Sequence, residues 1–134
     1  MKLTTAGLLI IEDRKLLLAY SKNKKCFYLP GGKVDAGETA VKALCREIEE
    51  EMNVTIGEGE LKYYTHITAP AYGEDNGVIM EQDCFFLHRN VTPEPSSEIA
   101  YLKYFSLDDY LAEIHQAPGA VMVLRQLQAD GHID

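Results

Sequence analysis

Apolar side chains recur at three- and four-residue intervals between Thr39 and Met52. Val41, Leu44, Cys45, Ile48 and Met52 form this stripe. The spacing is typical of an amphipathic helix that buries one face. Thr39 is a common N-cap residue, and Asn53 tolerates the left-handed conformation that often ends a helix. The sequence therefore predicts a buried helix with both ends defined.

The same helix carries like charges along one flank. Glu47, Glu50 and Glu51 are three and four residues apart, so their side chains are neighbours on a helix. Like-charged neighbours destabilise an isolated helix by roughly 0.2–0.5 kcal/mol per pair. One interpretation is a solvated acidic face, partly neutralised by Lys42 and Arg46. The other is a site for Mg²⁺, which prefers carboxylate oxygens.

The glycine-rich segment before the helix favours the metal site. The run from Gly32 to Val54, GKVDAGETAVKALCREIEEEMNV, follows the pattern G-x5-E-x7-R-E-U-x-E-E-x-G-U, where U is a bulky aliphatic residue. The matching residues are Gly32, Glu38, Arg46, Glu47, Ile48, Glu50, Glu51 and Val54. Asn53 replaces the second Gly of the pattern, a mild change because Asn also adopts the left-handed conformation. This segment strongly resembles the Nudix box of the Nudix hydrolases.

The resemblance implies an activity. Nudix enzymes use Mg²⁺ or Mn²⁺ to hydrolyse the diphosphate bond of a nucleoside diphosphate linked to another group. The expected substrate is thus a small-molecule nucleotide: a nucleoside triphosphate, a modified nucleotide, an ADP-sugar or a dinucleotide. Specificity lies in loops outside the box, here 21–26 and 70–77, so the residues do not choose among these substrates.

The resemblance also implies residue roles. Glu47, Glu50 and Glu51 are the expected metal ligands, together with the backbone carbonyl of Gly31. Glu47 is the candidate general base, and Arg46 is expected to orient it through a charge-assisted hydrogen bond. The remaining expectations are Lys33 at a phosphate, and Gly32 and Gly37 shaping the loop. Glu38 is expected either to tie the loop to the helix or to reach a metal through water. Glu98 precedes a late strand, where some family members place an additional acid; a solvated loop acid is an equal alternative.

The order of elements predicts an α/β fold. The resemblance makes this an αβα sandwich with a mixed β-sheet between helices, formed by residues 1–134 as a single domain. Two apolar runs around Asp13-Arg14 predict a hairpin, and 30–38 predicts a glycine-rich loop. The other expected elements are strands at 26–30, 61–70, 78–88 and 98–105, a short helix from Ser106, and a last helix ending before Gly131.

Composition excludes several functions. The net charge of −8 and the pI near 4.9 argue against nonspecific binding to nucleic acid or to anionic membranes. The three cysteines form no CxxC pair, and no apolar run approaches the roughly 20 residues of a membrane helix. We therefore expect a cytoplasmic protein with no nucleic-acid-binding domain and no membrane segment.

Two other functions are compatible with a Nudix fold. One is a noncatalytic nucleotide-binding sensor, which the complete set of box glutamates opposes. The other is an isomerase of isoprenoid diphosphates, for which no additional acid-base residues are marked. Homodimers are common in the family, and the apolar segment AVMVLRQL (120–127) fits either a dimer contact or the core.

Overall fold

The computed structural model describes residues 1–74 and 77–134, in which five strands precede the first α-helix and three strands separate it from two further α-helices. The strands are β1 (Lys2–Leu9), β2 (Ile11–Glu12), β3 (Lys15–Ser21), β4 (Cys26–Tyr28), β5 (Gly31–Lys33), β6 (Leu61–Pro70), β7 (Ile79–Leu87) and β8 (Ile99–Phe105). The α-helices are α1 (Ala40–Met52), α2 (Leu107–Leu111) and α3 (Pro118–Ala129), and a 3₁₀ turn spans Glu58–Glu60. None of the helices in these two ranges is long and apolar enough to cross a membrane.

The predicted mixed sheet is confirmed. Its strand order is β5-β1-β7-β6, with β1 parallel to β7 and antiparallel to β5. A second, antiparallel sheet, which the sequence did not separate from the first, forms around β3, with β2, β4 and β8 as its partners. Residues of both sheets line the cavity that is described below.

The mixed sheet lies between α1 and α3. Ala6 and Leu8 of β1 pack with Leu44 and Ile48 of α1. Leu9, the alternate residue of β1, packs instead in the cluster of α3, because successive side chains of a strand point to opposite faces. The result is the αβα sandwich that the resemblance implied.

The predicted amino-terminal hairpin is wrong in its extent. Only Ile11–Glu12 pairs with β3, across a turn in which Asp13 and Arg14 have φ angles of 50° and 60°. Strand β1 pairs with β5 and β7 in the other sheet. Its residues 5–9 are buried on both faces, which is typical of a central strand rather than of a half-exposed hairpin arm.

The predicted glycine-rich loop is partly a strand. Gly31–Lys33 forms β5 and pairs with residues 5–7 of β1. The loop proper begins after β5 and leads into α1, whose predicted caps are confirmed. Thr39 Oγ1 accepts a hydrogen bond from the Lys42 N–H at 3.1 Å, and Asn53 ends the helix with φ 54° and ψ 35°.

The carboxyl-terminal half follows the sequence closely. Strand β6 spans the predicted 61–70, and β7 and β8 fall within their predicted ranges. Ser106 caps α2, and α3 ends before Gly131, as expected. Of the predicted specificity loop 70–77, Asp75 and Asn76 lie outside the described residues.

Candidate active site

A cavity of about 410 Å³ opens beside β5. Helix α1 contributes Arg46, Glu47 and Glu51 to its wall, and β5 contributes Gly31–Lys33. The remaining lining residues come from β1, β4, β6, β7, the beginning of α3 and the connecting loops: Leu3, Thr5, Lys24, Tyr28, Leu29, Asp35, Pro70, Ala71, Tyr72, Met80, Gln82, Glu98, Ala117, Gly119 and Ala120. The acidic flank of α1 therefore faces a cavity, not bulk solvent alone.

Glu51 is the most buried acid of this wall, with 6% of its surface exposed. The Gly31 N–H donates a hydrogen bond to its Oε1 at 3.1 Å. Burial raises the pKa of Glu51 to about 8, and the nearby charges of Glu47 and Glu98 add to this. Since Oε2 accepts no hydrogen bond within residues 1–74 and 77–134, the carboxylate has an oxygen available to a ligand.

Arg46 holds the loop against the helix. Its Nε and Nη2 donate to the two oxygens of Glu38, each at 2.9 Å, and its Nη1 donates to Glu47 Oε1 at 2.9 Å. The Arg46 hydrogen bonds lower the pKa of Glu38 to about 2. Burial raises the pKa of Glu47 even though Arg46 opposes this shift. One guanidinium therefore fixes the position of the Glu47 carboxylate.

The charges of this region explain why so acidic a helix is tolerated. Arg46 also lies 3.3 Å from Asp35 and 3.7 Å from Glu50, so its cation serves four carboxylates in all. This arrangement leaves an excess of negative charge at the cavity wall. A divalent cation would offset that excess.

Two glycines of the predicted loop have distinct roles. A Cβ on Gly32 would lie 2.6 Å from Glu47 Cδ, so Gly32 provides the space that the Glu47 carboxylate occupies. Gly37 has a φ of 84°, and a Cβ there would meet no atom within 4 Å. Gly37 is therefore required by the backbone turn and Gly32 by the site.

Only some of the other predicted site residues line the cavity. Lys33 and Glu98 line the cavity, and Asn23 Nδ2 donates to Glu98 Oε2 at 2.9 Å. Glu50 does not line it, and 56% of its side chain is exposed. Gly31 meets the acidic helix through its N–H, which donates to Glu51.

Sequence reasoning missed the wall formed by β7 and α3. On one face of β7, Glu81 and Asp83 contact His66 of β6, at 3.2 and 2.7 Å. Met80 and Gln82, on the opposite face of β7, line the cavity. The available signal was a glutamine within the otherwise apolar alternate face of β7.

The chemistry of the wall fits a divalent cation. Its donors are hard carboxylate oxygens, including a buried one with an unpaired oxygen, and Mg²⁺ and Mn²⁺ prefer such ligands. Within the part of the chain that the structure describes, no three His, Cys, Asp or Glu side chains are already gathered at metal-binding distance. Glu47 and Glu51 line the cavity and are the residues best placed to hold the ion.

Comparison with known proteins assigns the chain to a family. The NUDIX domain model matches residues 1–126. The chain belongs to the NUDIX family. This agrees with the expected class of enzyme, a hydrolase of acid anhydrides in phosphorus-containing compounds.

Several solved structures are similar to this one. A MutT NUDIX hydrolase from Burkholderia pseudomallei has a TM-score of 0.77 and 26% identity, over 95% of this chain and 98% of that chain. An Ap4A hydrolase of C. elegans has a TM-score of 0.70 and 23% identity, over 96% of both chains. A bifunctional NMN adenylyltransferase/ADP ribose pyrophosphatase from Francisella tularensis, complexed with AMP and a Mn ion, has a TM-score of 0.69 and 19% identity, over 97% of this chain and 42% of that chain.

A curated relative is similar over a shorter segment. It is an ADP-ribose pyrophosphatase of Methanocaldococcus jannaschii, 52% identical over 46 residues, which are 32% of this chain. The matched segment spans 27% of that relative, about a quarter of its length.

The raised pKa of Glu51 predicts a pH-dependent stability for the metal-free NUDIX domain. Between its ordinary value of 4.5 and about 8, the folded protein keeps a proton on Glu51 that the unfolded chain releases. The free energy of unfolding therefore falls as pH rises through this window. Between pH 4.5 and 8, we expect the free energy of unfolding of wild type to fall by on the order of 3 kcal/mol more than that of Glu51→Gln. Urea unfolding of both proteins in EDTA measures it, and parallel curves would contradict it.

Proposed function

We propose that this NUDIX protein is a Mg²⁺- or Mn²⁺-dependent pyrophosphohydrolase. It would cleave the diphosphate bond of a nucleoside diphosphate linked to another group. The observation that carries the proposal is the Arg46 fork, which presents Glu47 beside the buried Glu51 at the wall of a cavity. A solvated acidic face needs neither the cavity nor the burial.

The substrate would enter with its phosphates toward α1. Lys33 lines this part of the cavity and would contact a phosphate oxygen, while Lys24 approaches from the loop before β4. When bound to Glu47, Glu50, Glu51 and the Gly31 carbonyl, the cation would neutralise the diphosphate oxygens and lower the pKa of a water molecule. Lysine charges would then hold an anion inside a protein of net charge −8.

Two acids are candidates to accept the proton of the attacking water. Glu47 has a raised pKa and is held by Arg46. Glu98 lines the same cavity and is held by Asn23. We favour Glu47 because the two residues that hold its carboxylate in place, Arg46 and Gly32, both belong to the Nudix box.

Arg46→Lys tests the positioning of Glu47. Lysine keeps the charge but cannot span Glu38 and Glu47 with a planar fork. We expect kcat to fall roughly tenfold to hundredfold and the Mg²⁺ concentration for half-maximal activity to rise by a similar factor, as for other partners that orient metal ligands. Arg125→Lys, on the exposed side of α3, is the matched control. An unchanged Mg²⁺ requirement in Arg46→Lys would contradict the positioning role.

The reaction itself is tested by chromatography of products with Mg²⁺ and with Mn²⁺. The panel contains the common and oxidised nucleoside triphosphates, nucleotide sugars, dinucleoside polyphosphates and ADP-ribose, which is included because of the Methanocaldococcus relative. Hydrolysis in ¹⁸O-labelled water identifies the phosphorus that is attacked. If no member is cleaved while a nucleotide still raises the melting temperature, the protein binds nucleotides without hydrolysing them.

We also infer that residues 1–134 form one NUDIX domain.

A further inference from the structure

The cavity is lined by two chemically different groups of residues. One group is charged and includes Glu47 and Glu51 of α1, with Asp35 and Glu98 from loops. The β1, β7 and α3 side of the cavity, which we call the apolar half, adjoins the core cluster on the α3 face of the mixed sheet, which includes Leu29, Ala117 and Ala120. It is lined mainly by Leu3, Leu29, Ala71, Met80, Ala117 and Ala120. The apolar half has no role in the phosphate chemistry proposed above.

Gln82 is a buried polar residue within this apolar half. It lies on β7 with 7% of its surface exposed, and its carboxamide rests against Gly7, where a Cβ would come within 3.1 Å of Gln82 Cδ. Its Oε1 has one weak contact, from Cys84 Sγ at 3.9 Å. Its Nε2 has no hydrogen-bond acceptor among residues 1–74 and 77–134. Since every fully buried polar side-chain atom of these residues has a partner, Nε2 is accessible at the cavity surface, where a ligand can accept its hydrogen bond.

We propose that the apolar half binds the nucleobase of the substrate and that the Gln82 carboxamide hydrogen-bonds with the edge of that base. A carboxamide offers a donor and an acceptor side by side, which matches the paired polar groups on base edges. The inference rests on the proposed function, since it concerns the same cavity and substrate.

The remaining polar groups favour a base over a second sugar or phosphate. Thr5 also lies on this side, but its hydroxyl already donates to the Glu81 carbonyl at 3.4 Å. A sugar presents several hydroxyls, and each would need a partner once buried. A flat ring with one polar edge needs only Gln82. The volume of about 410 Å³ also lies at the small end of the usual range for ligand sites, roughly 300–1,000 Å³.

Gly119 also lines the apolar half and offers a second, independent position at which to test the proposal. It lies in the first turn of α3, and a Cβ there would be 2.6 Å from Met80 Cε and 3.3 Å from Ile67 Cδ1. Gly119→Ala therefore displaces the Met80 side chain, which lines the apolar half. Because alanine is the better helix residue, this change narrows the pocket without weakening α3.

The test compares nucleoside triphosphates with ribose 5-triphosphate, which has the sugar and phosphates but no base. In Gln82→Met, which keeps the length of the side chain and removes its polar atoms, we expect kcat/KM for the preferred nucleotide to fall roughly tenfold to hundredfold. Gly119→Ala should raise KM for the same nucleotide. Neither variant should change kcat/KM for ribose 5-triphosphate by more than about twofold.

Matched controls are Gln128→Met, on the exposed side of α3, and Gly59→Ala, where a Cβ meets no atom within 4 Å. Equal losses for the nucleotide and for ribose 5-triphosphate in Gln82→Met would overturn the inference. So would a wild-type enzyme that cleaves both substrates equally well.

Calorimetric titration with the free nucleosides separates this inference from the proposed function, because it requires neither phosphate nor metal. A nucleoside that binds wild type and not Gln82→Met supports the base site even if no hydrolysis is found. Hydrolysis by wild type without any preference for a base would retain the enzyme and overturn the base site.

Discussion

Replacing Glu51 with glutamine is expected to lower kcat by about a thousandfold and, at pH 8, to stabilise the metal-free protein. The loss of activity follows if the carboxylate holds a cation that supplies several kcal/mol of charge stabilisation, since each ~1.4 kcal/mol is worth a factor of ten. The gain in stability follows because glutamine removes an ionisable group that burial disfavours in its charged form. The Gly31 N–H can still donate to the amide oxygen.

The opposite directions of these two effects make the result specific. Activity is measured on the best substrate of the panel, and stability by urea unfolding in EDTA at pH 8. Glu49→Gln is the matched control, because Glu49 lies on the same helix, is exposed and does not line the cavity. We expect it to leave both quantities nearly unchanged. If Glu51→Gln retained activity, Glu51 would not be a metal ligand. If Glu51→Gln were less stable than wild type, the charge of the Glu51 carboxylate would be compensated within the protein.

Much of α1 was predictable because its determinants are local. The apolar stripe, the Thr39 cap and the left-handed Asn53 depend on residues within a few positions of each other. The pairing of Arg46 with Glu47 was also expected, from the resemblance. Burial was not predictable in the same way: Glu50 and Glu51 are adjacent and identical, yet one is exposed and the other is nearly covered. That difference depends on β5, which meets the helix from outside the local sequence.

The apolar half was missed because it is assembled from distant segments. Met80, Gln82 and Gly119 reach one space only after β7 has paired with β1 and α3 has covered the sheet. A single sequence offers no signal for such a juxtaposition. The first arm of the predicted hairpin was wrong for the same reason, since β1 pairs with the distant strands β5 and β7 rather than across the adjacent turn.

Gly31→Ala is expected to destabilise the protein by about 4 kcal/mol or more, at the upper end of single-residue effects. Gly31 has a φ of 136°, which side-chain-bearing residues rarely adopt, and a Cβ there would lie 2.0 Å from the Ala6 carbonyl oxygen. That oxygen belongs to the backbone of a central strand, so it cannot turn aside as a flexible side chain could. Strand β5 would have to separate from β1, and the Gly31 N–H would leave Glu51.

Substitutions of two neighbouring glycines separate the contributions of backbone strain and of steric clash to this loss of stability. Gly37→Ala carries backbone strain without a clash and should cost only about 1–2 kcal/mol. Gly32→Ala meets a side chain rather than backbone, so it should spare most of the stability but displace the Glu47 carboxylate from Arg46 and lower activity. Thermal and urea unfolding of the three variants measure the order. If Gly31→Ala melted no lower than Gly37→Ala, β5 could move away from β1 at little cost, and the rigid placement of Glu51 by this strand would be wrong.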